Sequence, residues 1–181
     1  MTEREKMVAG EPYDAGDPEL VAGRRAARSL VREFNDDLDE DRRMALLAGL
    51  LAGFGSGSFV EAPFRCDYGF NLSIGRDCFL NFNVVVLDCA AVTVGDRVQV
   101  APGVQLLTAD HPRDAGERAQ GIELARPVSV GDDVWLGAGA IVCPGVSVGA
   151  GSVVGAGSVV TRDLPAGVVA AGNPCRVIRE L

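Results

Sequence analysis

The chain has a single histidine, His111, within Ala109-Asp110-His111-Pro112. An imidazole with a reference pKa of about 6.5 is largely neutral around pH 7, which suits a general base. Taken alone, a histidine before a proline in a polar stretch reads as a surface residue. Asn81, next to Phe82 and Asn83, carries an amide that both donates and accepts hydrogen bonds, and it reads equally well as a turn asparagine between coils. The carboxylates of Asp67 and Asp88 each accept two hydroxyl hydrogen bonds at once. Arg162, Arg176 and Arg179 crowd toward the C-terminal end, where their guanidinium groups suit phosphates; each also reads as a solvated surface charge. The five cysteines, Cys66, Cys78, Cys89, Cys143 and Cys175, form no CxxC pair. With one histidine they make no usual zinc site, so no metal is expected and buried thiols are the simplest reading. None has a histidine beside it in sequence, which disfavours a cysteine acyl-enzyme.

Bulk properties narrow the partners. The net charge of −8 argues against a nucleic-acid binder, which needs a basic face, but leaves room for one anionic ligand on a local arginine cluster. No apolar run is long enough to span a membrane. The charged start, Met1-Thr2-Glu3-Arg4-Glu5-Lys6, lacks the apolar stretch of a signal peptide, so a cytoplasmic location is expected.

Two kinds of element must position these side chains. Residues 1–52 read as helical. Asp17-Pro18-Glu19-Leu20 is a start signal, with Leu20, Ala27, Leu30, Val31 and Phe34 at helical spacing after it. A second helix is expected from Leu38 to Ala52, with Met44, Leu47 and Leu51 on one face. Gly53-Phe54-Gly55-Ser56-Gly57-Ser58 marks a boundary, giving a helical segment over 1–57 and a second unit over 58–181.

In that second unit an aliphatic residue recurs every sixth position: Val130, Leu136, Val142, Val148, Val154 and Val160. Four residues after each stands a second inward candidate: Val134, Ala140, Val146, Ser152, Ser158 and Leu164. Ile74, Leu80 and Val86 share the beat, as do Val94, Val100 and Leu106 after a slip of two residues. A helix would need a 3.6-residue period, and a hairpin strand strict alternation. The six-residue beat instead predicts a solenoid of short strands and tight turns, in which stacked rungs share one core. Residues 108–127 break the beat and read as a loop thrown out from one face, with His111 near its start.

These features resemble the hexapeptide-repeat acyltransferases, within them the maltose and galactoside O-acetyltransferase group. The resemblance runs through Glu5-Lys6-Met7-Val8-Ala9-Gly10, Phe64-Arg65-Cys66-Asp67-Tyr68-Gly69 and Asn81-Phe82-Asn83. It continues in Asp110-His111-Pro112 and Asp133-Val134-Trp135-Leu136-Gly137, and closes with Gly172-Asn173-Pro174-Cys175-Arg176-Val177-Ile178. It implies a mainly β fold, a left-handed parallel β-helix with an N-terminal α-helical segment. It further implies a homotrimer with active sites between coils, and acetyl-CoA as co-substrate for O-acetylation of a sugar. On that resemblance His111 is the base and Asn81 lies near the reacting hydroxyl. Asp67, Asp88, Asn83 and Asp14 fall to the acceptor, with a surface turn the safer reading of Asp14. Ala138, Ala156, Thr161, Arg162, Arg176 and Arg179 fall to the donor, Ala138 through its backbone N–H. Family members that act on galactosides carry a further acidic residue where this chain has Cys89. Trp135 is expected as core or wall.

Three other readings fit a solenoid of this kind. A hexapeptide-repeat carbonic anhydrase needs three histidines at its zinc, which one per chain does not supply. A xenobiotic acetyltransferase uses the same base and donor, and stays open. A binding or structural solenoid without catalysis predicts no acetyl-CoA binding.

Overall fold

The computed structural model describes residues 1–181, and its main body is a triangular parallel β-helix. Each turn contributes one short strand to each of three walls. Wall one stacks Gly53–Phe54, Leu72–Ile74, Val92–Val94, Val128–Val130 and Ser147–Val148. Wall two stacks Phe59–Val60, Phe79–Leu80, Gln99–Val100, Trp135–Leu136, Val153–Val154 and Val168–Gly172. Wall three stacks Phe64–Cys66, Val84–Leu87, Gln105–Leu107, Ile141–Val142 and Val159–Val160. The final strand, Cys175–Glu180, turns back antiparallel onto Val168–Gly172 and closes the top of wall two.

The six-residue beat maps onto this geometry directly. The residues of both inward series, from Val130 to Val160 and from Val134 to Leu164, are all buried. Ser152 and Ser158 occupy inward places because their hydroxyls are satisfied. Ser152 Oγ donates to Pro165 O (2.8 Å) and Ser158 Oγ to Gly155 O (2.6 Å), while accepting from the N–H groups of Val168 and Gly172. Glycine is required where rungs nearly touch: a Cβ on Gly137 would lie 2.5 Å from the Ala156 nitrogen.

The lower end of the coil is covered by α2 (Pro18–Asp36) and α3 (Glu40–Leu50), whereas α1 (Glu3–Ala9) packs at the side against Tyr13–Asp14, Ile122–Ala125 and α2. Asp17 caps α2 with Pro18 at its first position, as the sequence predicts. The helix begun at Leu38 in the sequence reading starts instead at Glu40. The side chain of Asp39 accepts the Arg42 N–H there, and Leu38 lies outside, fully solvated. Phe34 meets Phe64 edge-on at 6.3 Å, and Arg43 lies over Phe34 while donating to Val60 O. Asn35 closes a two-way bond with the backbone of Phe64, fixing the end of α2 to wall three.

Three local expectations are corrected. Residues 1–52 are not wholly helical, since Tyr13–Asp14 is a strand. The coil begins at Gly53, inside the segment assigned to the helical unit. Gly53 and Phe54 pair with Ser73 and Ile74, so a stretch that reads as a linker is the first rung. Thr108 is not part of the projecting insert. It is fully buried at a corner, where its hydroxyl donates to Leu87 O and accepts from Ala90 N–H.

Candidate active site

Two corners of the coil collect the residues singled out by the sequence. The corner from wall two to wall three carries Asn81, Phe82 and Asn83 in a lower turn. Following the strand registers, Ala138 and Ala156 stack two and three turns above Phe82. Both alanines are exposed, and a Cβ built on the adjacent Gly139 or Gly157 meets nothing within 4 Å. The flanking N–H groups are committed, Gly137 to Val154 O, Gly139 to Pro102 O and Gly157 to Ala138 O. The N–H groups of Ala138 and Ala156 have no such backbone acceptor. The outer surface of this corner thus carries only small residues at these two turns, and two of its backbone N–H groups are left without a backbone acceptor. Asn83 sits at φ 62°, where the turns above have glycine at 73°, 67° and 68°. Asparagine tolerates this left-handed corner, so its place there follows from the turn itself. Asn81 is half-buried, and its Oδ1 accepts the Phe82 N–H at 2.8 Å.

The corner from wall three to wall one holds the insert. Ala109–Asp110 pairs antiparallel with Ile122–Ala125, which pairs in turn with Tyr13–Asp14 from the cap. A short helix, α4 (Ala115–Ala119), joins the first two strands. His111 is therefore carried on a three-stranded sheet, exposed, with its backbone N–H donated to Asp110 Oδ1 at 2.9 Å. Tyr13 donates to Glu123 Oε2 (2.9 Å), tying the cap to the insert. Asp14 belongs to this sheet rather than to a turn. It is exposed, and its carboxylate accepts the Gly16 N–H.

Below the insert, the same corner contains Asp67 and Asp88 in different roles. Asp67 lines an open cleft of about 790 Å³ with Arg28, Arg32, Asn35, Arg65 and Leu87. Burial raises its carboxyl above the ordinary range, against the thiol of Cys89, which donates to it at 3.7 Å. Asp88 corrects the sequence reading, because it has no exposed surface and does not face an acceptor. Its Oδ1 accepts the N–H groups of Asp67 (3.0 Å) and Tyr68 (2.9 Å), and its Oδ2 that of Asn71 (3.4 Å). It pins the corner on which Asp67 rides.

The arginines expected to meet the donor share the upper end of the coil but not one edge. Thr161 and Arg162 follow the last wall-three strand, whereas Arg176 and Arg179 lie on the closing strand of wall two. All four are exposed. Trp135 is an outward wall residue, 55% exposed, between Gln99 and Val153. All five cysteines are free, and burial raises every thiol, Cys89 to about 12. Thiolate is the nucleophilic form, so these cysteines are poor nucleophiles. No group of three or more His, Cys, Asp or Glu side chains is placed to hold a metal ion.

Sequence reasoning missed Arg126, which closes the insert on Asp110, and Tyr13, which anchors the cap to it. The only sequence signal for either is position: one ends the break in the beat, and the other lies between two helical stretches.

A capped hexad coil, with small residues along one corner and a histidine-bearing insert on the next, defines a class of solenoid acyltransferases. Comparison with known proteins agrees. The chain matches the maltose acetyltransferase hexapeptide capping motif over residues 6–55 and the hexapeptide repeat of succinyl-transferase over 71–107 and 127–162. It is 51% identical to nodulation protein L of Rhizobium meliloti over 97% of either chain. A maltose O-acetyltransferase from Clostridium difficile 630 superimposes with a TM-score of 0.98 at 45% identity, covering 100% of this chain and 98% of that one. A hexapeptide-repeat acetyltransferase of Vibrio cholerae O1 biovar eltor, complexed with acetyl-CoA, gives 0.94 at 41% identity over 100% and 99%. The chain belongs to the hexapeptide-repeat acetyltransferases, in the maltose and galactoside O-acetyltransferase group, and is an acetyl-CoA-dependent acetyltransferase. The reading as a solenoid without catalysis is set aside.

Proposed function

We propose that this acetyltransferase acetylates a hydroxyl of a maltose-, glucose- or galactoside-like sugar by direct transfer. His111 of one coil and Asn81 of another meet between the subunits of a homotrimer. The observation that carries this reading is the separation of the two corners. Asn81, Ala138 and Ala156 lie on one edge of wall three, and the insert with His111 leaves from the other. The four or five strand residues between those edges span on the order of 15 Å. One coil therefore does not unite base and donor groove, whereas cyclic packing of identical coils brings unlike corners together.

Bound acetyl-CoA supplies an activated acetyl thioester. In this reading His111 takes the hydroxyl proton as the sugar oxygen bonds to the acetyl carbon and the carbon–sulfur bond breaks. The Ala138 N–H meets the carbonyl oxygen as it gains charge, and Asn81 holds the sugar hydroxyl toward the base. Asp67 in the cleft accepts further sugar hydroxyls, with Asp14 and Asn83 at its margins. Ala156 and Thr161 flank the pantetheine arm, and Arg162, Arg176 and Arg179 meet the nucleotide phosphates. The acetyl group passes directly from the thioester to the sugar oxygen, releasing CoA, because no cysteine is poised to take it. We place the enzyme in the cytoplasm, where its co-substrate is a common metabolite; no helix is long and apolar enough to cross a membrane.

An acceptor screen with acetyl-CoA tests this, following CoA release on maltose, glucose, a galactoside and chloramphenicol, beside His111→Ala. We expect turnover on the sugars and a loss of roughly 10²–10⁴-fold in the variant, with acetyl-CoA binding retained. Full activity of His111→Ala would overturn the base, and chloramphenicol as the sole acceptor would overturn the sugar.

A further inference from the structure

We propose that Arg126 is a positioning residue that holds His111 in place by clamping the two ends of the insert together. Its use in acetyl transfer rests on the reading of His111 as the base. The geometry is specific. Arg126 Nη2 donates to Asp110 Oδ2 at 2.6 Å, and Asp110 Oδ1 accepts the backbone N–H of His111 at 2.9 Å. One carboxylate thus joins the residue that follows the insert's return strand to the catalytic candidate. The Arg126 backbone N–H reaches Thr108 O at 2.9 Å, so the same residue also closes the base of the insert.

The next turn of the coil makes room for this clamp. A Cβ on Gly145 would lie 3.4 Å from Arg126 Cβ and 3.5 Å from its Cδ, at a backbone φ of 83°. The arginine stem lies across Gly145, the one residue of that corner without a side chain. Arg113 Nη2 stands 3.7 Å from the same Asp110 oxygen but is 87% exposed, and it serves as a weaker second partner. Arg126 is about half exposed, and an isolated pair of that kind adds little to folding stability. Its effect is local. Misplacing a general base by a fraction of an ångström lowers the chemical step while leaving a remote donor groove intact.

The single histidine makes the test direct, because untagged protein gives one imidazole signal by NMR. In Arg126→Gln we expect that signal to move or broaden. The turnover rate should fall about tenfold or more while KM for acetyl-CoA stays within about twofold. Arg126→Lys should restore part of both, and Asp110→Asn combined with Arg126→Gln should be no worse than either alone, as for residues acting as one unit. An imidazole signal unchanged in Arg126→Gln would overturn the clamp, whatever the activity. Full turnover of that variant beside an inactive His111→Ala would overturn it too. A displaced signal beside a fully active His111→Ala would uphold the clamp and remove the base.

Discussion

Removing the Asp88 carboxylate would leave the N–H groups of Asp67 and Tyr68, and the longer contact from Asn71, facing a corner that water does not reach. Hydrogen bonds to a buried charge, once unmade, cost more than an exposed pair, so Asp88→Ala is expected to lose about 2–4 kcal/mol of stability. Asp88→Asn keeps one acceptor and should lose less; denaturant unfolding of the variants measures both. Burial alone would push the Asp88 carboxyl further up, and the backbone donors act against it. Such residues show how far sequence reading goes at this scale. Asp67 and Asp88 are the same residue type on successive turns, and only the fold shows that one faces a cleft while the other binds its own backbone. The Asp110–Arg126 pair is equally hidden, because its members stand sixteen positions apart across the insert and no periodicity links them.

Among the elements, the coil is the most legible, because two residues in every six point inward and the aliphatic series records one of them. Even the slip before Val94 has a physical meaning. The corner from wall three to wall one is longer in the lower turns, where it carries Asp67 to Asn71 and Asp88 to Ala91, and the insert leaves from this same corner. What the beat did not show was the first rung, since Gly53 contributes backbone pairing and no side chain. Nor did it show the docking of Tyr13–Asp14 on the insert, a pairing between segments more than a hundred residues apart. The proposed donor site gives this scale its prediction. In Gly137→Ala the new methyl would press on the Ala156 nitrogen, 2.5 Å away, and must displace one of the two rungs. KM for acetyl-CoA should rise by about tenfold or more while the acceptor KM changes little, a split that steady-state kinetics reads.

At the scale of the molecule, a triangular coil has corners that cannot meet one another, and the proposed mechanism needs two of them. The helical cap closes one end of the coil, the returning strand covers the other, and the insert projects from the side. An assembly of identical coils is the economical way to bring a groove and a base together. The most direct measurement is subunit complementation, in which His111→Ala and Asn81→Ala chains are co-folded in equal amounts. Each variant alone should be nearly inactive. Random cyclic trimers should regain about one quarter of wild-type activity, because one site in four then draws both intact residues from different chains. Mixed trimers that form yet remain as inactive as their parents would contradict a site shared between coils.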